Sequence, residues 1–406
     1  MTSDVINPTH ESYLRLFIRF LRFGILAWGG PVAQIAMIRD ELVDEKKWIT
    51  REKFNRILGI YQALPGPEAH ELCVYFGFIS RGRLGGFLAG LGFMLPGLIL
   101  MLILSWFYVT YGLSSPILSS LFFGFQAVVG ALLIRAVHRI GKHVISDRWL
   151  FAIAGLAAIS SAIGIHFAII LAFSATSYFI SKRKNPVIGL SIWILLFAVF
   201  IILTPDILHS NILHPTGQTE SSPMPVGNVS QFDLLISGLR GGLLTFGGAY
   251  TVIPFLQHDA VSVGHWMTNK QFLEGLGLSG IIPAPLVIIG TFVGYLGGGV
   301  LGALVLTTGI FLPAFAFTLL GHKYLERLIE NKTIHSFLDG LTAGVVGLIM
   351  ITTIELLQAG VTSLAAFGIF ACALLFLYLW KSKIAIPVIV ICSGMTGLLL
   401  FSLNLL

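Results

Sequence analysis

The sequence predicts an all-α integral membrane protein, with two inverted-topology repeats of about six helical elements each, one linking transmembrane helix, and Gly/Pro-broken or re-entrant helices inside each repeat. Three observations predict it. The 406 residues are 56% hydrophobic and only 11% charged. That is more apolar surface than a water-soluble fold can bury, so lipid must be the solvent for most of the chain. Apolar runs long enough for a hydrocarbon core, which takes about 20 helical residues, recur to the C-terminus. The second half also repeats the first in register.

In chain order the apolar runs lie at 84–110, 117–134, 149–180 (long enough for two short spans), 187–204, 300–320, 336–356, 363–379 and 384–403. The first fifteen residues are polar, and the first apolar stretch runs into Gly29-Gly30 without a small-residue cleavage site, so no signal peptide is expected. A net charge of +6 does not point to nucleic acid, because the Lys and Arg sit in short clusters between apolar runs, where they orient a membrane protein. Cys73, Cys372 and Cys392 all lie in apolar segments and read as small buried packing residues rather than a disulfide or metal set.

The repeat appears at an offset of 218 residues, which carries Leu21-Arg22 onto Leu239-Arg240, Gly29-Gly30 onto Gly247-Gly248, Trp48 onto Trp266, and Pro65 and Pro67 onto Pro283 and Pro285. After a one-residue gap, Leu95-Pro96 falls on Leu312-Pro313 and Val128-Val129-Gly130 on Val345-Val346-Gly347. Rare residue types in register over so long a stretch mark a duplication. The repeats are 1–186 and 232–406, and 187–231 supplies the linking helix and an extracytoplasmic loop. The stretch Pro205–Ser230 has no Lys or Arg, whereas Arg135–Arg148, Ser181–Asn185, His322–Lys332 and Lys381–Lys383 are basic. Placing the basic loops in the cytoplasm inverts one copy relative to the other, the organisation of alternating-access transporters. Segments 12–38 and 54–79, with their mates 232–256 and 272–296, are each interrupted by Gly or Pro. If they cross, the crossings total about 13, and if they re-enter, about 9.

These interruptions are the candidate site. Irregular backbone at membrane depth is tolerated where it is buried or lines a polar cavity. Pro65, Gly66 and Pro67 stop a helix, as do Pro283 and Pro285, and the pairs Gly29-Gly30 and Gly247-Gly248 break the preceding element. A helix restarting after a break offers free amides and a positive dipole end to an anion. A proline kink or close glycine packing is the plainer alternative. Arg22 and Arg240, just ahead of the Gly-Gly breaks, suit a tetrahedral oxyanion through bidentate donation, unless Arg22 merely snorkels to the surface. Gln34, Gln62, Tyr61, Thr245, Tyr250 and Thr251 are neutral candidate ligands. Glu68, His70 and Glu71 face only Leu286, Ile288 and Ile289 in the other copy, which suggests one proton-carrying centre in the first half. Glu68 in the first turn also reads as a helix cap. Gly-rich stretches such as 294–302 suit close helix packing, either within the chain or between copies in a homodimer. No Walker A, dinucleotide-binding, H-E-x-x-H or C-x-x-C motif is present, so neither a soluble enzyme nor an ATP-driven pump is expected, and no cofactor is called for.

The run Trp28-Gly29-Gly30-Pro31-Val32-Ala33-Gln34-Ile35-Ala36-Met37-Ile38-Arg39-Asp40-Glu41, then Trp48, then Gln62-Ala63-Leu64-Pro65-Gly66-Pro67-Glu68-Ala69, resembles the chromate ion transporter (CHR) family. So do Phe246-Gly247-Gly248-Ala249-Tyr250 and Ile282-Pro283-Ala284-Pro285. The resemblance covers nearly the whole chain and matches that family's long two-domain form. It implies efflux of chromate from the cytoplasm across a bacterial inner membrane, energised by protons, with sulfate as a chemically similar competitor. Two other readings stay open from the residues alone. One is an importer or exchanger for sulfate or another oxyanion, and the other is a membrane-embedded lipid-phosphate enzyme or scramblase.

Overall fold

Two rows of half-length helices that double back on themselves set the architecture seen in a computed structural model of the chain. It describes residues 11–112, 115–183, a few positions between 187 and 197, 229–329, 332–380 and 382–405. The expected linking helix at 187–204 and the loop at 205–230 lie almost wholly outside the described residues.

The first copy runs α1 (Tyr13–Ile25), α2 (Gly30–Arg39) with a π-helical extension Asp40–Glu45, α3 (Arg51–Ala63), α4 (Glu68–Phe107) with a π segment Tyr108–Gly112, α5 (Pro116–Val144), α6 (Arg148–Ala162) and α7 (Phe167–Arg183). The second runs α8 (Gln231–Leu243), a 3₁₀ turn Ala249–Val252 into α9 (Ile253–Gln257) and a π segment His258–Val263, then α10 (Asn269–Gly280). A 3₁₀ turn Leu286–Ile288 then leads into α11 (Ile289–Ile329), followed by α12 (Lys332–Gly360), α13 (Leu364–Leu379) and α14 (Ala385–Ser402). No strand occurs among the described residues. The order of elements largely recurs from one copy to the next, and the π segment Asp40–Glu45 has its mate in His258–Val263, whereas Tyr108–Gly112 has none.

Local chemistry starts the helices where they start. Thr50 accepts from the Lys53 amide at 3.2 Å, and its mate Thr268 closes a full capping box with Gln271. Ser12, Asp147, Ser230 and Ser363 cap α1, α6, α8 and α13. The sequence runs at 149–180, 363–379 and 384–403 appear as α6 with α7, α13 and α14. Helix α5 continues some ten residues past the apolar run 117–134, because Arg, Ala and Lys sustain the helical ladder after hydrophobicity has ended.

The interrupted segments are hairpins rather than broken spanning helices. Phe54 stacks on Phe76 with ring centroids 6.4 Å apart and Tyr61 meets Tyr75 at 6.3 Å, so α3 lies back along the first arm of α4 with Leu64–Pro67 at the tip. In the second copy Gly275 lies against the Phe292 ring, and Trp266 Nε1 donates to the Val293 carbonyl at 3.2 Å. Helix α4 reverses at Arg81-Gly82 and α11 at Gly298-Gly299. There the glycine φ values are 64° and 63°, a left-handed turn that lets each helix fold onto its own first arm. The arms cross backbone to backbone: a Cβ on Gly77 would sit 2.4 Å from the Gly85 carbonyl, and one on Gly294 2.5 Å from that of Gly302.

Among the described residues five stretches are long and apolar enough to cross a membrane, namely Glu68–Gly112, Pro116–Val144, Leu286–Gly321, His335–Gly360 and Ala385–Ser402. Ile99, Ile103 and Trp106, at helical spacing on α4, leave about half of each side chain uncovered, as a lipid-facing stripe requires. The chain is thus a multi-pass membrane protein. Cys73 is buried, but Cys372 and Cys392 are exposed on the protein surface, against the expectation. An apolar segment does not reveal whether its neighbours are protein or lipid.

The described residues form two compact units, one drawn from Met1–Arg135, Met224–Leu325 and Leu356–Leu406, the other from Ala136–Pro223 and Glu326–Glu355. Each takes pieces from both copies, and the first holds all eight half-length arms. In it Leu276, Leu278, Val287, Ile288, Ile310 and Phe311 belong to one continuous core. In the second, Gly340 and Gly347 bring α12 against the backbones of α7 and α6.

Candidate functional site

Each half-length hairpin has its tip at a Gly/Pro interruption, and the four tips meet. A narrow cavity of about 10 Å³, the room of roughly one water molecule, is lined by Pro31 and Gln34 from the first tip, Pro67, Glu68 and Ala69 from the second, Gly248 and Ala249 from the third and Pro285 from the fourth. The tips are joined directly, because the Gly66 amide donates to the Thr245 carbonyl at 2.9 Å across the two copies. Gly66 takes φ 147°, and a Cβ there would come 3.0 Å from the Glu71 carboxylate. Only glycine fits both the torsion and the gap.

A helical segment begins at every wall of this cavity. Helix α2 starts at Gly30, α4 at Glu68, the turn leading into α9 at Ala249, and the turn leading into α11 at Leu286. Each start carries unsatisfied amides and the positive end of a helix dipole, roughly half a unit charge. Four such ends beside one narrow cavity favour a negative guest. Gln34, only 1% exposed, donates from Nε2 to the Ala27 carbonyl at 2.9 Å and leaves Oε1 without a partner. Thr245 and Thr251 turn their hydroxyls to the Gly241 and Gly248 carbonyls, so both serve the backbone of the break.

Behind the cavity wall lies the ionisable group of the first copy. Glu68 lines the space, while Glu71 is fully buried with neither carboxylate oxygen hydrogen-bonded. An unpartnered carboxyl inside a membrane protein is costly and marks ion or proton paths. His70 is also fully buried, its ring edge-on to Phe311 and Phe315 at 4.8 and 4.7 Å.

The two arginines are placed elsewhere. Arg22, with more than half of its side chain exposed, pairs with Glu41, which also receives Arg19 at 2.5 Å. Arg240 pairs with Asp259 at 2.5 Å. Neither lines the cavity. Each stands in the last turn of the helix that precedes its Gly-Gly pair and reaches across to an acid in the π segment that follows the next arm. Their partners Glu41 and Asp259 are themselves repeat mates, 19 residues after each arginine in both copies. That equal spacing was the signal that would have identified the pairs in the sequence. Gln62 is exposed, and Tyr61 is buried between α3 and α4. Pro65 and Pro283 are buried in their tips. Among the described residues no group of three or more His, Cys, Asp or Glu could hold a metal ion.

The family model described as "Chromate transporter" matches residues 14–203 and again 232–398. The chain is 49% identical over 404 residues to a chromate transport protein of Pseudomonas aeruginosa, covering 98% of this chain and 95% of that one. It is 30% identical to a chromate transport protein of Cupriavidus metallidurans, with 98% and 95% covered. With a probable chromate transport protein of Synechococcus elongatus it shares 26% identity, over 98% and 99% of the two chains. No solved structure matches.

Proposed function

Because the chain belongs to the chromate transporter family, we propose that it is a secondary transporter that exports chromate from the cytoplasm across a bacterial inner membrane, driven by the proton-motive force. The observation that carries this reading is the convergence of four helix starts on one enclosed cavity, which supplies positive potential without a fixed cation. A tetrahedral dianion such as chromate, or the similar sulfate, has the charge for it.

Binding falls to Gly29, Gly30, Gln34, Pro65, Gly66, Pro67, Thr245, Gly247, Gly248, Pro283 and Pro285, which form or support the walls. Glu68 makes the cavity sensitive to protons. Its carboxyl stands at the same wall as the anion, so its charge state changes what the cavity binds. Glu71 and His70 extend the proton path inward. The membrane potential, negative inside, favours outward movement of negative charge by about 2.3 kcal/mol per charge per 100 mV. The two copies, 1–186 and 232–406, lie in opposite orientations on this reading, so rocking one set of hairpins against the other opens the cavity to either side. Arg22 and Arg240 tie the two arms of each moving hairpin together.

Everted membrane vesicles test the direction. Energised vesicles carrying the protein are expected to accumulate radiolabelled chromate, lose it on adding an uncoupler, and show competition by sulfate. Accumulation only in right-side-out vesicles would reverse the direction, and no chromate flux in either would reject the substrate.

A further inference from the structure

A second ionisable group lies away from the cavity. Glu274, near the middle of α10, is partly buried. Its Oε1 accepts from Gln126 Nε2 of α5 at 2.6 Å, and its Oε2 accepts from the Tyr108 hydroxyl. Tyr108 is 1% exposed, its ring held edge-on between Phe122 and Phe292 at 5.1 and 5.0 Å, and it opens the π segment that follows α4. Such interruptions of the helical ladder often occur at functional positions. The titratable neighbours are Tyr108 from the end of α4 and Lys270, one turn earlier on α10 itself, while α5 presents the neutral amide of Gln126.

Two features separate this cluster from a structural tie. The first is the chemistry of the partners. A carboxylate held by arginine leaves an unpaired cation when it takes a proton. A tyrosine hydroxyl and a glutamine amide can each either donate or accept, so both protonation states of Glu274 can be satisfied in place. The second is symmetry. The repeat mates of Glu274, Tyr108 and Gln126 are Arg56, Leu325 and Ala343. A clamp needed by the duplicated scaffold belongs in both copies, whereas this one occurs in only one of the two equivalent places. It is assembled from both copies at once, two residues from the first and one from the second.

We propose that Glu274, with Tyr108 and Gln126, is a proton-binding centre separate from the anion cavity, loaded and unloaded as the two copies move against each other. This deepens the reading of the chain as a proton-coupled anion transporter, and it can be tested apart from the substrate. The protein reconstituted in liposomes is titrated from acidic to alkaline pH while the infrared C=O stretch of protonated carboxyls is followed. Wild type should show a titrating band that is absent from Glu274→Gln and that titrates at a different pH in Tyr108→Phe. In the same liposomes, chromate flux driven by a pH gradient should fall about tenfold or more in Glu274→Gln, the scale of an ordinary coupling between two sites, with chromate exchange at equal pH retained. An unchanged infrared titration in both variants overturns the proposal. So does a Glu274→Gln protein that keeps gradient-driven flux, or one that loses exchange and driven flux equally, as a mere clamp would. If wild type carries no chromate at all, the transport reading fails while the infrared titration still decides the proton site.

Discussion

Gly66 combines a backbone role and a packing role in one residue. Its amide ties one copy to the other and its missing Cβ leaves room for Glu71. Gly66→Ala is therefore expected to cost about 2 kcal/mol of stability through torsional strain and the contact with Glu71, and to abolish transport. Thermal unfolding in detergent and chromate flux check both. Asp147, outside the membrane segments, shows a different kind of residue effect. Burial by itself would raise its carboxyl, but the Leu150 amide, the Tyr178 hydroxyl, Lys182 and the Trp149 amide outweigh that and hold it below the usual carboxylate range. The ionised form is the one favoured by folding. Its stabilisation is complete above the unfolded value of about 3.9 and is lost as pH falls through the lower folded value. Asp147→Ala should lose about 1 kcal/mol at neutral pH, as for a helix N-cap, and should flatten the acid side of a melting-temperature profile. A profile that keeps the wild-type acid slope contradicts the assignment.

At the scale of elements, much was legible because duplication wrote each helix boundary twice. Pro65 with Pro283 and Gly29 with Gly247 mark the four tips in the sequence. What stayed hidden was distance along the chain. Arg22 is close to Gly29 in sequence, yet its partner Glu41 lies beyond the break, past the far end of the next helix. Glu274 was also missed, because a single acid within a short polar-flanked helix carries no periodic signal, and its partners come from 148 and 166 residues away. These two ion pairs make an asymmetric prediction. Glu41 keeps Arg19 when Arg22 is removed, so Arg22→Ala should cost less than about 1 kcal/mol. Asp259 is 7% exposed and its Oδ2 has no partner, so Arg240→Ala should cost about 2 kcal/mol and Arg240→Ala with Asp259→Ala should recover much of it. Denaturation of the purified variants orders them.

For the whole molecule, inversion of the two copies is a proposal that rests on loop charge. Lipid hides which side a loop faces, and the basic loop Arg39–Arg56 is nearly balanced by its acids. Glu45 and Val263 close the equivalent π segments of the two copies, and both are exposed. With Cys73, Cys372 and Cys392 replaced, a membrane-impermeant thiol reagent should reach a cysteine at position 263 from outside intact cells and one at position 45 only from the cytoplasmic side. Labelling of both from one side would make the copies parallel. The convergence of four helix starts is tested most directly by locating the anion itself. Anomalous X-ray scattering from crystals soaked in chromate should place chromium between Gln34, Pro67, Gly248 and Pro285. A chromium peak against Arg22 or Arg240, with that cavity empty, would contradict the account.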